Sequence, residues 1–375
     1  MTKRHWVCML ALSAALLLCG CGGLYDKEFV SVSDHVPAAQ QGKVTEGKVT
    51  VKTFAALKLA LLDYAYAGET EGSIIFDQAY DGDTTEDMAS ACWQVRTQDA
   101  LCAYCVENIA YELNKIVTIN EATVYISYSK YAMSPEEVVH MTYSSGVGDS
   151  LKTALEARKS GLVLLITRSS YDAEEMESAV QSVYRENPAI VPKEPTAKVN
   201  MFSGTGTQRL YEISINYGLN EEEMMQRTAQ LQAVNAFTEE QKRDMGEGER
   251  VVAACRYLTE HCTLTDAATE NTAYSALING QANSEGIAFA CVELCDQLGV
   301  DCRIVYGQRL WVDHCWNIVR VDGNYYHIDA SAAITGGLQK GLLFSDESFW
   351  GEYRWDVSAY PKCAGELSYE DLVLE

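Results

Sequence analysis

Basic residues are scarce in this chain. It carries 29 Lys and Arg against 53 Asp and Glu over 375 residues, a formal net charge of −24. That deficit excludes nucleic acid as a partner, because phosphates demand a basic surface. It also leaves no basic patch for anionic lipid. The acidic surface itself implies solubility. The apolar run near the N-terminus, from about Trp6 to Leu18, is too short and wrongly flanked for a membrane-spanning helix. Paired Cys-x-x-Cys motifs are missing, since Cys102-x-x-Cys105 stands alone, so the usual zinc spacing is absent. No EF-hand-like loop offers calcium a ligand set. No metal or organic cofactor is implied.

What the N-terminus does have is the layout of an export signal. Lys3 and Arg4 precede the apolar run, which ends Leu18-Cys19-Gly20-Cys21. A Leu three residues before a Cys, with a small Gly directly before it, looks like a bacterial lipoprotein signal. Residues 1–20 then form the signal, Cys21 takes the lipid, and residues 21–49 are the lipidated cysteine and a polar tether. Cys19 fits less well because bulky Leu18 precedes it. An ordinary signal peptide with incidental cysteines is the alternative. The chain has 13 cysteines. Those of the mature part could form disulfides in an exported protein. Cys291 and Cys295, four apart in an apolar helical run, read equally well as small buried thiols.

The length suggests two or three domains, and 47% hydrophobic residues are enough for a real core. An internal repeat precedes the C-terminal part. Ile74-Ile75-Phe76 matches Leu162-Val163-Leu164, and Met88, Ser90, Ala91 and Val95 match Met176, Ser178, Ala179 and Val183. Met, Ala and Val at these spacings make one apolar helical face. Ser134-Pro135-Glu136-Glu137 and Asn220-Glu221-Glu222-Glu223 each put a cap residue before acids, as helix N-termini prefer. The pattern predicts two tandem α+β repeat modules, 50–145 and 146–232, each reading helix, strand, helix, strand, helix. Neither contains a catalytic spacing, so both read as binding or spacer elements.

From 246 onward the pattern changes. Residues 248–262 have helical periodicity. Glu285 to Leu298 is predicted helical, with Ile287, Ala288, Cys291, Leu294, Cys295 and Leu298 on one stripe and Gly299 as its stop. Strands are predicted at Cys302–Tyr306, 314–321 and 324–329. Asp322-Gly323 is a strong two-residue hairpin signal. With that turn, Val321 pairs with Asn324, Trp316 faces Asp329, His314 faces Ser331, and all four of these last side chains share one face. His314 and Asp329 are then diagonal neighbours within reach of each other.

Four stretches in this region carry a family resemblance: Ser284-Glu285-Gly286-Ile287-Ala288, the following strand segment 299–307 (GVDCRIVYG), the strand begun by His314-Cys315-Trp316-Asn317, and Tyr326-His327-Ile328-Asp329. Together, residues 233–375 resemble a transglutaminase-like (papain-type) cysteine-enzyme core. The resemblance implies an antiparallel sheet packed on a helix that bears the nucleophile. It assigns Ser284 to the nucleophile position, His314 to the histidine and Asp329 to the aspartate that orients it. His327 shares the His314 face and competes for its role, though it reads more simply as a half-buried strand residue. The segment after Asp329 lacks the aromatic or Pro anchor common in active relatives, and Arg309-Leu310-Trp311 reads as an edge loop, with a flank of a substrate groove as the alternative.

Serine changes the chemistry. The family's thiolate forms because a cysteine with an ordinary pKa near ~8.5 is pulled down by a helix N-terminus and an imidazolium. A serine hydroxyl does not ionise and must lose its proton during attack, supported by a strong oxyanion hole. Ser284 also suits a helix N-cap, as does Asn283. The backbone N–H of Ser284 and, more weakly, Gln281 are candidate oxyanion donors. Three readings follow: a non-catalytic surface module that binds or scaffolds a protein or peptide; a Ser-His-Asp amidase, protease or acyl transferase acting on peptide or glutamine amide bonds; or a cysteine enzyme using another thiol or a shifted alignment. Cys291 is the nearest alternative thiol, although it and Cys315 both read as core. The expected location is extracytoplasmic, held to the cell membrane through the lipid on Cys21.

Overall fold

The computed structural model describes residues 44–45, 48–116 and 119–373. The signal segment, Cys21 and most of the tether lie outside the described residues. Val44–Glu375 form one compact unit. No described helix is long and apolar enough to cross a membrane.

Two segments share one core order of elements, strand-helix-strand-helix-strand-strand, to which the first adds an opening strand and a third helix. The first comprises β1 (Val44–Thr45), β2 (Lys48–Val51), α1 (Phe54–Tyr66), β3 (Glu71–Phe76), α2 (Thr84–Gln98), α3 (Ala100–Cys105), β4 (Val106–Ile116) and β5 (Ile119–Tyr128). The second comprises β6 (Val139–Tyr143), α4 (Val147–Glu156), β7 (Gly161–Arg168), α5 (Ala173–Glu186), β8 (Thr196–Ser203) and β9 (Arg209–Asn216). Their sheets are ordered β1-β2-β3-β5-β4 and β6-β7-β9-β8. In each, the first crossover joins parallel strands and the last two strands form an antiparallel hairpin.

This corrects the expected order of elements. Each segment is entered by an edge strand, and each contains a further edge strand, β4 or β8, that the apolar pattern did not reveal. β8 is largely exposed along its length, so it has little apolar periodicity to detect. Ser134 does cap with Glu137, but only over one 3-10 turn. The β-prone Val139–Tyr143 follows and pairs with β7 as part of the second sheet. Asn220, by contrast, caps a full helix, α6 (Glu221–Gln232).

The strand alignment also shifts. Leu57, Leu61 and Ala65 of α1 are buried like Val147, Leu151 and Leu155 of α4, and Gly68 and Arg158 take the same left-handed position after these helices. That spacing sets Ile74 against Leu164 rather than Leu162. A two-residue slip keeps every side chain on its own face of a strand, so the hydrophobic pattern alone does not register it. The helix alignment holds: Met88 and Met176 are both fully buried.

The C-terminal part follows with α7 (Glu239–Asp244), α8 (Glu247–His261), β10 (Thr263–Leu264), α9 (Ala273–Leu277), β11 (Gln281–Ala282) and α10 (Ser284–Gln297). Then come β12 (Cys302–Arg309), β13 (Val312–Val321), β14 (Asn324–Ile328), α11 (Ala330–Gly336), α12 (Asp346–Phe349), β15 (Tyr353–Trp355) and α13 (Tyr369–Val373). The sheet is antiparallel in the order β14-β13-β12-β15. The Asp322-Gly323 turn has the expected register, Val321 against Asn324, with both turn residues at positive φ.

One expectation about α10 needs correction. Its burial is not confined to a single stripe. Ala288, Phe289 and Val292 join the core of the second segment, where Phe289 meets Tyr184 edge-on at 5.3 Å. Ile287, Ala290, Cys291 and Leu294 join α8 in a separate core. The helix is therefore enclosed on two sides, which a helix hydrophobic nearly all round requires. Buried Asn317 of β13 donates from Nδ2 to the Ala288 carbonyl at 3.0 Å and fixes the helix to the sheet.

Candidate active site

Asp329 follows β14 directly and caps α11. Its Oδ1 accepts from the Ser331 and Ala332 amides at 2.9 and 3.0 Å and from Ser331 Oγ at 2.6 Å. Its Oδ2 accepts from His314 Nε2 and from Tyr353 OH, each at 2.8 Å. The Arg309 guanidinium stands 3.7 Å from the same oxygen. The carboxylate is 1% exposed. Burial alone would raise its pKa, but His314, Ser331 and Tyr353 outweigh burial and hold it below the ordinary carboxylate value. Burial and the adjacent charge of Asp329 push the Tyr353 hydroxyl up, so it stays a protonated donor.

This arrangement selects the His314 tautomer. An ionised carboxylate accepts only, so Nε2 carries the proton toward Asp329 and Nδ1 of the neutral ring keeps its lone pair. Gly307 lies directly opposite His314 across β12 and β13. A Cβ there would collide with the Trp316 ring and the Arg354 carbonyl, so the glycine lets Trp316 fold over the sheet beside the histidine.

Ser284 is the first residue of α10. Asn283, not Ser284, is the N-cap: its side chain accepts from the Gly286 amide at 3.0 Å. The serine hydroxyl is thereby left over, and its Oγ accepts from the Cys315 amide at 3.4 Å. That contact brings Ser284 to the residue after His314, 31 positions along the chain. Gly286 has a steric reason to be glycine. A Cβ would approach Ala282 Cβ, the Glu270 carbonyl and the Thr272 amide to 2.9 Å each. The three predicted residues are thus brought to one region by the start of α10, the first part of β13 and the residue that follows β14.

His327 takes a different place from the one expected. It pairs with Ile318 as the register requires, but it is fully buried rather than half-buried. Its Nδ1 accepts from the Trp316 indole at 3.0 Å and its Nε2 meets Asp346 Oδ1 at 2.9 Å. Burial lowers its pKa, with Asp346 opposing. Cys291 is fully buried and Cys315 is buried, where burial pushes the Cys315 thiol up to about 12. Gln281 is exposed in β11.

Sequence reasoning missed three groups around Asp329. Tyr353 comes from β15, 24 residues on, and supplies the aromatic partner that the residues right after Asp329 lack. Ser331 and Arg309 complete the shell. Arg309 opens what read as an edge loop, yet its side chain bridges toward Asp329 and Glu352. Only Ser331 had a local signal, since a small hydroxyl residue two positions after an aspartate can close an Asx-type contact.

A family model described as the transglutaminase-like superfamily matches residues 232–330. Residues 232–330 form a transglutaminase-like domain, in a mixed α+β chain whose preceding residues build further α+β segments. No curated protein matches the chain. Among solved structures, a TGase is 14% identical with a TM-score of 0.24, over 47% of this chain and 52% of that one. A candidate cysteine protease from Cytophaga hutchinsonii is 11% identical with a TM-score of 0.21, over 36% of this chain and 64% of that one. Menin is 22% identical with a TM-score of 0.20, over 30% of this chain and 26% of that one. The chain spans about half the length of the TGase and less than two thirds of the other two.

Proposed function

We propose that this chain is a lipid-anchored, extracytoplasmic protein whose transglutaminase-like domain binds or scaffolds a protein or peptide, with Ser284 standing where a thiol enzyme carries its cysteine. The observation that carries the reading is the state of the Ser284 hydroxyl. Among the described residues its hydrogen-bond partner is the Cys315 amide at 3.4 Å, not the His314 ring. A serine becomes a nucleophile only when a base takes its proton, and here the hydroxyl is turned to a backbone donor. The ten described cysteines offer no replacement: nine are buried, and Cys302 is half-buried.

A second reading rests on its own observation. His314 and Asp329 are paired at 2.8 Å, and Asp329 is held by four further hydrogen-bond donors, with the Arg309 guanidinium at 3.7 Å. That pairing supports the reading of a Ser-His-Asp amidase or acyl transferase, which would act on peptide or glutamine amide bonds. One experiment separates the two. The purified protein is treated with a fluorophosphonate probe, alongside Ser284→Ala and His314→Ala proteins, with a thiol-alkylating probe in parallel. The binding reading expects no labelling at Ser284. Labelling of the unaltered protein that disappears in both variants would overturn it and establish an activated serine.

A further inference from the structure

Four thiols meet in the core behind Ser284. Cys255 comes from α8, Cys291 and Cys295 from successive turns of α10, and Cys302 from the first position of β12. The sulfurs of Cys291, Cys295 and Cys302 all lie within 4.8 Å of one another. Cys255 approaches from the facing helix with its thiol against that of Cys291. Cys255, Cys291 and Cys295 are fully inaccessible to solvent, and apolar side chains such as Val251, Leu258, Leu294 and Val319 close the surroundings.

We propose that these four cysteines form a structural site for a soft divalent cation of the zinc type. Zinc–thiolate bonds are about 2.3 Å, which sets tetrahedral sulfur–sulfur separations of roughly 3.8 Å. Three of the sulfurs already lie within 4.8 Å of one another, and Cys255 borders Cys291 as the fourth ligand. Binding releases four protons as four thiols become thiolates around one ion. All ten described cysteines are free thiols, and one tetrahedral ion would use all four of these sulfurs at once. The site is closed to water, as structural zinc sites are, and has no position for a substrate. Its effect would be to tie α10, the helix that carries Ser284, to α8 and to the sheet. The spacing explains why the sequence does not announce it: the ligands come from three elements, and no Cys-x-x-Cys pair lies among them.

The second grouping of ligand-type atoms, His327, Asp346 and Cys363, does not share this chemistry. The Trp316 indole donates to His327 Nδ1, so the proton of the neutral ring sits on Nε2 and is directed at Asp346. The nitrogen facing the other two groups therefore has no lone pair to offer.

The test uses the purified protein, reduced and stripped with a chelator, then titrated with Co2+ and separately with Zn2+. One Co2+ per chain is expected, with thiolate-to-cobalt charge-transfer absorption and the intense visible bands of a tetrahedral site. Zn2+ should displace the Co2+ and raise Tm. Cys295→Ser and Cys302→Ser should abolish or sharply weaken the charge-transfer absorption, while Cys92→Ser and Cys363→Ser keep it. Should the cluster variants fail to fold, X-ray absorption at the zinc edge of the unaltered protein decides, with a shell of sulfur near 2.3 Å expected. Absence of charge-transfer absorption from the unaltered protein overturns the proposal. So does a zinc shell of oxygen and nitrogen alone, or a signal that survives loss of Cys295 or Cys302.

Discussion

His314 Nε2 lies 2.8 Å from Asp329 Oδ2, although 15 residues separate them. One hairpin makes the contact. The tight Asp322-Gly323 turn fixes the register of β13 on β14, and the next residue of the chain, Asp329, stops being strand and becomes a helix cap. The same carboxylate thus serves the histidine with one oxygen and the helix N-terminus with the other.

That double duty makes Asp329 a stability determinant. Its folded pKa is depressed below the unfolded value of about 3.9. The stabilisation is therefore fully present above about pH 4 and is lost as pH falls through the folded value. Asp329→Asn should cost about 2–4 kcal/mol at neutral pH, from the lost hydrogen bonds of the buried carboxylate and the weakened cap. The gap to the unaltered protein should narrow in acid. Urea denaturation at pH 7 and pH 3 checks this, and an equal loss at both would contradict it.

Ser284→Cys tests whether the surroundings still suit a thiolate. A thiol at the first position of α10, beside His314, should ionise below the ordinary cysteine value of ~8.5. Iodoacetamide should alkylate it at neutral pH about tenfold or more faster than any other thiol in the folded protein. Adding His314→Ala should remove most of that advantage. A rate no greater than that of the buried thiols would mean that the site no longer favours an anion.

The turn between β12 and β13 holds avoidable strain. Leu310 and Trp311 both have positive φ, at 50° and 70°, and their side chains are 63% and 77% exposed. Such turns favour Asn-Gly, and a bulky residue in the left-handed region costs roughly 1–2 kcal/mol. Replacing the pair (Leu310→Asn with Trp311→Gly) should raise the unfolding free energy by about 1–2 kcal/mol, less the stacking of Arg354 over Trp311 at 5.5 Å. Chemical denaturation reads the change, and a net loss of stability would refute the strain assignment.

The proposed anchor has a direct check. Expressed in a bacterial host with lipoprotein processing, the unaltered chain should fractionate with membranes and incorporate labelled fatty acid. Cys21→Ala should lose the fatty acid and leave the membrane fraction. Label retained in that variant would move the modification elsewhere.

Local chemistry made much of the C-terminal part readable. Asp322-Gly323 specifies its own turn, and period-2 alternation then puts His314 and Asp329 on one face. The helix carrying Ser284 is found from its apolar spacing, though its start is set by Asn283 as the cap. The edge strands β4 and β8 escaped because an exposed edge need not alternate strongly. The two-residue slip between Ile74 and its counterpart escaped because slips of two preserve the face.

The sequence by itself determined the elements whose information is local: the hairpin register, the helix of Ser284, and the order Ser, His, Asp. Only the tertiary structure decided what surrounds them. Tyr353 and Arg309 reach Asp329 because β15 pairs with β12, Phe289 is buried by the second segment, and four cysteines from three elements converge in one core. Contacts between residues far apart in the chain depend on how whole elements pack. The apolar faces that drive such packing are largely interchangeable until the fold chooses their partners.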